Sequence, residues 1–284
     1  MIEHTKTEFG AELLTVECRY PRFIHAEVMT HRVFSRNAAS SRAIPIKKLL
    51  ADVKKDMAIP IFWGKNKTGM QADEQLTGWR LWLAKKIWIV SGHVACFFAW
   101  LFLQVGLHKQ IANRIIEPWS HITLLISSTE WDNFYGLRIH KDAQPEIKYL
   151  AMAIYSAHIS SMPRLVKFGE WHLPYISQND YEIYPVEDLI YISMARCAST
   201  SYKTVDGKMM TLDKAKELGQ KLVGANPIHA SPSEHIAQPD HLINDDGYTY
   251  WERPDLHGNF FGYRQYRKSL PNENIKDYGI PTKA

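Results

Sequence analysis

The sequence predicts an α+β fold with long buried helices, on three observations. Residues 11 to 24 and 120 to 137 concentrate β-branched and aromatic residues in the manner of strands. Residues 79–116, 143–162, 186–202 and 210–227 carry helical patterning. The run "IWIVSGHVACFFAWLFLQVGL", residues 87–107, holds no formal charge and is apolar on every side, as a helix surrounded by protein is. A chain of 284 residues that is 45% hydrophobic and 12% aromatic has ample material for one core, and the whole of 1–284 reads as a single domain.

Taken in order, residues 11–24 read as a strand or extended entry that ends near Pro21, followed by a helix-like segment. Residues 44–70 read as a linker, with Pro45 and Pro60 as breakers and a turn between Gly64 and Gly69. A helical pattern from Trp79 to Ile116 is interrupted near Gly106 and stopped by Pro118. The next stretch is β-branched at first and then aromatic, in "STEWDNFYGLR". Residues 143–162 form a helix with Pro145 near its start and Pro163 closing it. Residues 186–202 begin as a helix and run into a Ser/Thr-rich turn. Residues 210–227 form a short amphipathic helix with Thr211 as N-cap and Gly224 near its end. The tail is loop-rich, and no tandem repeat or low-complexity tract appears.

The 34 Lys+Arg against 30 Asp+Glu leave a net charge of only +4, so no general affinity for nucleic acid is expected and an anion site must come from local clustering. Cys18, Cys96 and Cys197 form no CxxC pair, which argues against a disulfide framework and a thiolate zinc site and suits a reducing cytoplasm. The opening "MIEHTKTEFG" has no secretory pattern. The apolar run 87–107 is long enough to span a bilayer, but it includes Ser91, His93 and Gln104 and stands alone. A buried helix is expected rather than a membrane segment, with His93 as a core histidine. The thirteen histidines show no HExxH or similar spacing, so no metal is expected. In "FGEWH", Glu170, Trp171 and His172 are a candidate pocket wall in which the indole stacks on a flat ring.

The densest cluster of polar chemistry is "MTHRVFSRNAASSR", Met29–Arg42. Guanidinium forks, hydroxyls and small residues that let a ligand approach suit phosphate oxygens, with Ser40, Ser41 and Arg42 at one end and His31 and Arg32 at the other. A solvated basic surface is the plainer alternative.

This stretch resembles the signature of the flavin-dependent thymidylate synthases, an RHR triplet followed by a serine, a small residue and an arginine. Residues 112–151 resemble a second stretch of the same family, placing Arg114, Asn133, Arg138, Gln144 and Glu146. "HASPSEHIAQP", residues 229–239, is similar to its H-x-S-x-x-E-H element, and "ARCASTSY" to its A-R-V-S-Y segment. The last two usually precede the RHR motif and here follow it, which implies a circularly permuted form of the family's mixed-sheet fold, with motif blocks at 29–42, 112–151 and 195–239.

The resemblance implies transfer of a one-carbon unit from methylenetetrahydrofolate to C5 of dUMP, giving dTMP, with FAD as cofactor and NADPH recharging it. It implies Ser40, Ser41 and Arg42 on the phosphate, Arg114 on the nucleotide, and Arg138 as the catalytic group on the pyrimidine. His31, Arg32, Asn37, Asn133 and His235 fall around FAD, and a homotetramer is implied. Four positions depart from the pattern: Thr30 for arginine, Ala38 for glutamate, Ser127 for asparagine and Asp142 for histidine. These departures leave room for a 5-hydroxymethyl-dUMP product. Tyr263–Asn274 vaguely repeats an R-Q-x-x-R…S…N-E pattern and offers Glu273 as a replacement carboxylate. From another class, an RNA- or single-strand-binding module needs aromatics interleaved with the basic residues, and Met29–Arg42 contains only Phe34.

Overall fold

The computed structural model describes residues 1–69, 71–204 and 207–274. Its centre is a five-stranded sheet of β1 (Glu3–Thr7), β2 (Glu12–Pro21), β3 (Ser35–Ala38), β4 (His121–Ser128) and β5 (Arg164–Val166), in the order β3-β4-β2-β1-β5. The sheet is mixed, because β1 and β5 run parallel while the other neighbours are antiparallel.

Alternation along the strands gives the sheet two different faces. Leu14, Val16, Cys18 and Tyr20 of β2 and Ile122, Leu124 and Ile126 of β4 enter one core with α5 (Asp132–Arg138) and α6 (Pro145–Ile159). Leu125 of β4 faces the other way, toward Tyr175 and toward Cys197 near the end of α8 (Val186–Ser199). Thr5, Thr15 and Ser127, all buried, form a polar seam on this second face.

The helices follow their local chemistry. In α6, Pro145 occupies the first turn and the Gln144 side chain accepts from the Ile147 amide. The short α7 (Gln178–Ile183) opens on a capping box between Ser177 and Asp180. Thr211 caps α9 (Leu212–Gly224) as the sequence suggests. Helices α8 and α9 pack so closely that a Cβ on Gly219 would stand 2.1 Å from the Tyr191 carbonyl oxygen. Glycine is therefore required there.

Two expectations need correction. Residues 46–55, read as linker, form α2 (Ile46–Lys55), whose Ile46, Leu49, Leu50 and Val53 lie one above another on a single buried face. The expectation of long buried helices holds for α8, with eight of fourteen residues buried, and fails for α3 (Gly78–Gln104). Only Gly92, Ala95, Cys96 and Ala99 of α3 are buried, against α2 and the 3-10 turn Asn113–Trp119. The chain fully buries one narrow stripe of small residues, partly covers Trp88, Phe102 and Leu103, and leaves much of the remaining apolar surface open. His93, expected in the core, is exposed. Among the described residues α3 is also the one helix long and apolar enough to cross a bilayer.

After α3 the chain turns at Gly106, as expected, and passes through α4 (Lys109–Ala112) into the 3-10 turn that contains Pro118. The tail carries β6 (Ala237–Pro239), β7 (Leu242–Asp245), β8 (Tyr248–Trp251), β9 (Tyr263–Gln265) and α10 (Tyr266–Ser269). It is organised by the buried Asp240 carboxylate, which accepts from Arg264 Nε at 2.6 Å and lies 2.7 Å from His257 Nε2. The "FGEWH" residues do not share a pocket: Trp171 meets Tyr266 edge-on at 5.9 Å, while His172 is fully buried in the polar seam.

Candidate active site

The one-turn helix α1 (His25–Val28) leads into the first motif block, which lies along the sheet edge at β3. Phe34 is buried among Trp131 and Phe134 and anchors the loop before β3 to the aromatic core. His31 stacks on Phe34 at 5.7 Å and meets Phe134 edge-on at 4.9 Å. Its Nε2 accepts a hydrogen bond from Arg138 Nε at 2.9 Å, which requires an unprotonated nitrogen. Burial first, then the charges of Arg138 and Arg36, hold His31 below the usual histidine range and favour that neutral form. Arg138 also donates from Nη2 to Thr30 Oγ1 at 3.0 Å. Thr30 thus supplies an acceptor that fixes this edge of the guanidinium. Arg138, Glu27, Lys141 and Gln144 line a broad cavity of about 1190 Å³.

A second cavity of about 300 Å³ opens on the other side of the loop. Arg32, Arg36, Arg267 and Lys268 contribute four cations to its wall, and Glu234 and Glu273 two carboxylates. Arg267 pairs with Glu234, while Glu273 pairs with Lys268 at 2.8 Å and with Arg267 at 3.5 Å. Glu273 is therefore brought beside the first motif block, within reach of Arg32's cavity. Nothing in the sequence marks Arg36, Arg267 and Lys268 for this cavity, although Arg36 follows Arg32 in the same quoted stretch, on β3, and the other two lie in "YRQYRK".

The third block meets the same edge. Asn37 donates to the Cys197 carbonyl oxygen at 2.6 Å and its Oδ1 accepts from Ser231 Oγ at 3.2 Å. His235 is fully buried, with Nδ1 2.8 Å from Ser127 Oγ and Nε2 without a hydrogen-bond partner among the described residues. From Ser127 a continuous hydrogen-bonded chain runs through Thr15 (2.6 Å), both nitrogens of His172 (2.8 Å each) and Thr5 to Tyr263 (3.0 Å). Ser127 is the link between Thr15 and His235. A longer side chain there would have to displace one of them.

Burial drives both imidazoles neutral: it takes His235 down to about 3 and His172 well below its usual value of 6.5. The unfolded chain takes up these protons below about pH 6.5, whereas the native state refuses them. Stability is therefore expected to fall as pH drops from 6.5 toward 5, by about 1.4 kcal/mol per pH unit for each of the two histidines. Urea denaturation at pH 7.5 and 5.5 checks this, and equal stability at both values would refute it.

Ser41 and Arg114 are placed together, though on a carboxylate. Ser41 Oγ donates to Glu117 Oε1 at 2.5 Å, Arg114 lies 3.2 Å from the same oxygen, and Arg22 lies 3.3 Å from it. Asn113 adds bonds to the carbonyl oxygens of Ser41 and Ile44. Ser40 and Arg42 remain exposed at the end of this loop. Asn133 is exposed in the first turn of α5, away from these contacts, and Asp142 lies 3.5 Å from His140.

The residues fit a flavin in two respects. The basic cavity suits the pyrophosphate of a dinucleotide, and the orphaned, buried Nε2 of His235 has the polarity of a group awaiting a ligand atom. All three cysteines are free and buried, with their thiols pushed up by burial, Cys18 to about 12. None is a thiolate near neutral pH, so none is suited to nucleophilic addition.

No family model and no curated protein matches the chain. Among solved structures, the UMP/dUMP methylase PolB from Streptomyces cacaoi bound with 5-Br dUMP is similar at 17% identity and a TM-score of 0.41, over 52% of this chain and 66% of that one. The same enzyme bound with 5-Br UMP gives 18% identity and a TM-score of 0.44, over 52% and 70%. A likeness of this degree, over about half of the chain, carries no conclusion about chemistry.

Proposed function

We propose that the protein is a flavin-dependent enzyme that transfers a one-carbon unit from methylenetetrahydrofolate to C5 of dUMP, giving dTMP. The observation that carries this reading is the joining of every pair of motif blocks by a direct hydrogen bond. His31 and Arg138 tie the first block to the second, Asn37 and Ser231 tie the first to the third, and Ser127 and His235 tie the second to the third. We read the chain as circularly permuted, because the third block follows the first in sequence whereas the resemblance places it before.

In this reading Arg32, Asn37 and His235, with Arg36, Arg267 and Lys268, hold FAD, while His31 positions Arg138. FAD supplies the redox chemistry that no side chain performs, and NADPH restores its reduced form. Arg138 is the fixed cation that stabilises negative charge on the pyrimidine as C5 attacks the electrophilic carbon. Ser40 and Arg42 face the phosphate, while Ser41 and Arg114 hold their loop through Glu117. The buried cysteines agree with a route that needs no thiolate adduct. Titration with FAD tests the cofactor assignment: flavin fluorescence is expected to be quenched at stoichiometric binding and the effect lost in Arg32→Ala combined with Arg267→Ala. No binding by the unaltered protein would contradict it.

We also propose a homotetramer in the cytoplasm, with α3 in a subunit interface. Nine large apolar side chains of α3, among them Trp79, Trp82, Ile87 and Phe97, are more than a third exposed. Together they offer roughly 800–1,000 Å², close to the ~800 Å² per partner of a stable interface. A bilayer suits this helix less well, because α2 packs on its midpoint and carries exposed Lys47, Lys48, Lys54 and Lys55, which would be drawn into hydrocarbon. Sedimentation without detergent is expected to give an oligomer that Val90→Glu with Phe97→Glu dissociates. A monomer, or a protein that stays soluble only in detergent, would refute the interface.

A further inference from the structure

His4 on β1, Glu12 at the start of β2 and His158 on the last turn of α6, none of them in a motif block, converge at one point. His4 Nε2 lies 3.7 Å and His158 Nε2 3.9 Å from the same carboxylate oxygen, Glu12 Oε2. All three ligand atoms fall within 4.8 Å of one another. His4 is 7% exposed, and its Nε2 has no hydrogen-bond partner among the described residues. That is an unusual state for a buried imidazole nitrogen.

The outer contacts explain which nitrogen faces inward. His4 Nδ1 is 3.1 Å from Ser161 Oγ, and His158 Nδ1 is 3.0 Å from Tyr135 Oη. Each hydroxyl can accept the Nδ1 proton, which leaves the Nε2 lone pair of each ring pointing at Glu12. An oriented imidazole whose outer nitrogen is held by an oxygen is the arrangement that tunes histidine for metal ligation. Lys6 Nζ binds the other carboxylate oxygen, Oε1, at 2.8 Å, so Glu12 offers a single oxygen to the centre. Burial, and then the neighbouring His158, hold His4 below the usual histidine range, so it is available as a neutral ligand.

We infer that His4, Glu12 and His158 form a binding site for one divalent cation of the Zn²⁺ class, which fastens the β1–β2 hairpin to the end of α6. Two imidazoles and one carboxylate are three of the four ligands of a tetrahedral zinc centre, with solvent as the fourth. The observed separations need to contract modestly to reach zinc–ligand bonds of about 2.0–2.2 Å. The ligands come from residues 4, 12 and 158, so no local spacing in the sequence announces them.

The test uses the full chain, stripped with chelator and titrated with ZnSO₄ by calorimetry, and with Co²⁺ by visible absorption. One equivalent is expected to bind, raise the thermal midpoint by roughly 5 °C at a hundredfold excess over Kd, and give the intense visible bands of four-coordinate Co²⁺. Glu12→Gln and His158→Ala, both at partly exposed positions, are expected to weaken binding at least tenfold. Tyr135→Phe is expected to weaken it by roughly 10-fold through the outer contact alone. Absence of stoichiometric binding, or binding that all three variants leave unchanged, would overturn the inference. Neither outcome depends on flavin or nucleotide, so the result is separate from that of the proposed activity.

Discussion

Arg138→Ala is expected to lower turnover by about 10²–10³-fold, the usual cost of removing one preorganised donor from a developing negative charge. The guanidinium is fixed by Nε on His31 and Nη2 on Thr30, and Nη1 has no partner among the described residues. That leaves one donor edge for a ligand on the wall of the larger cavity. Arg138→Lys is not expected to restore activity, because an ammonium cannot hold His31 and Thr30 while presenting another donor. Single-turnover rates with flavin binding measured in parallel check this. Full activity in Arg138→Ala would remove Arg138 from the chemistry.

The second large effect lies in packing. Phe134→Ala is expected to cost about 3–5 kcal/mol, because the ring is 1% exposed and its loss leaves a cavity the rigid sheet cannot close. The same ring supports His31 edge-on at 4.9 Å and Phe34 at 5.3 Å. The variant is therefore expected to lose activity even at temperatures where it remains folded, since the loop that carries His31 and Arg32 loses its backing. An unfolding free energy in urea within about 1 kcal/mol of the parent's would show that this aromatic cluster does not carry the loop.

Much of the fold is legible in the residues. The strand β2 alternates apolar and polar positions from Leu14 to Tyr20, β4 is β-branched and hydroxyl-rich, and α6 and α9 announce themselves by Pro145, Gln144 and Thr211. The strand β1 is hidden because "EHTKT" is polar. His4 and Thr5 are buried there through hydrogen bonds made by distant partners, and Thr7 accepts from the nearby Ala11 amide. Helix α2 was obscured by Pro45 and Pro60, although Ile46, Leu49, Leu50 and Val53 keep a helical spacing. For α3, composition fixes that the helix is apolar, while what covers it depends on neighbours that no local pattern records.

The site was legible in the same uneven way. Motif residues that lie in one stretch, such as His31 and Arg32, are visible in the chain, but it takes the fold to bury His31 against Phe34 and Phe134 beside Arg138 and to leave Arg32 on the wall of the basic cavity. The pairing of Ser41 and Arg114 on Glu117 joins residues more than seventy positions apart and has no sequence signature. Thr15 and His172 join the polar seam only once β2 is paired and the loop before Tyr175 is packed on it. Charge and hydroxyl content identify candidates, and the sheet register decides which of them meet.

The central claim is one-carbon transfer to C5 of dUMP, and the mass of the nucleotide tests it most directly. Purified protein is incubated anaerobically with FAD, NADPH, methylenetetrahydrofolate and dUMP, and the nucleotide is examined by mass spectrometry. The account predicts a methyl gain on the base that disappears when FAD is omitted. A hydroxymethyl gain would keep the one-carbon transfer and contradict the dTMP product, whereas unchanged dUMP with the complete mixture would contradict the central claim.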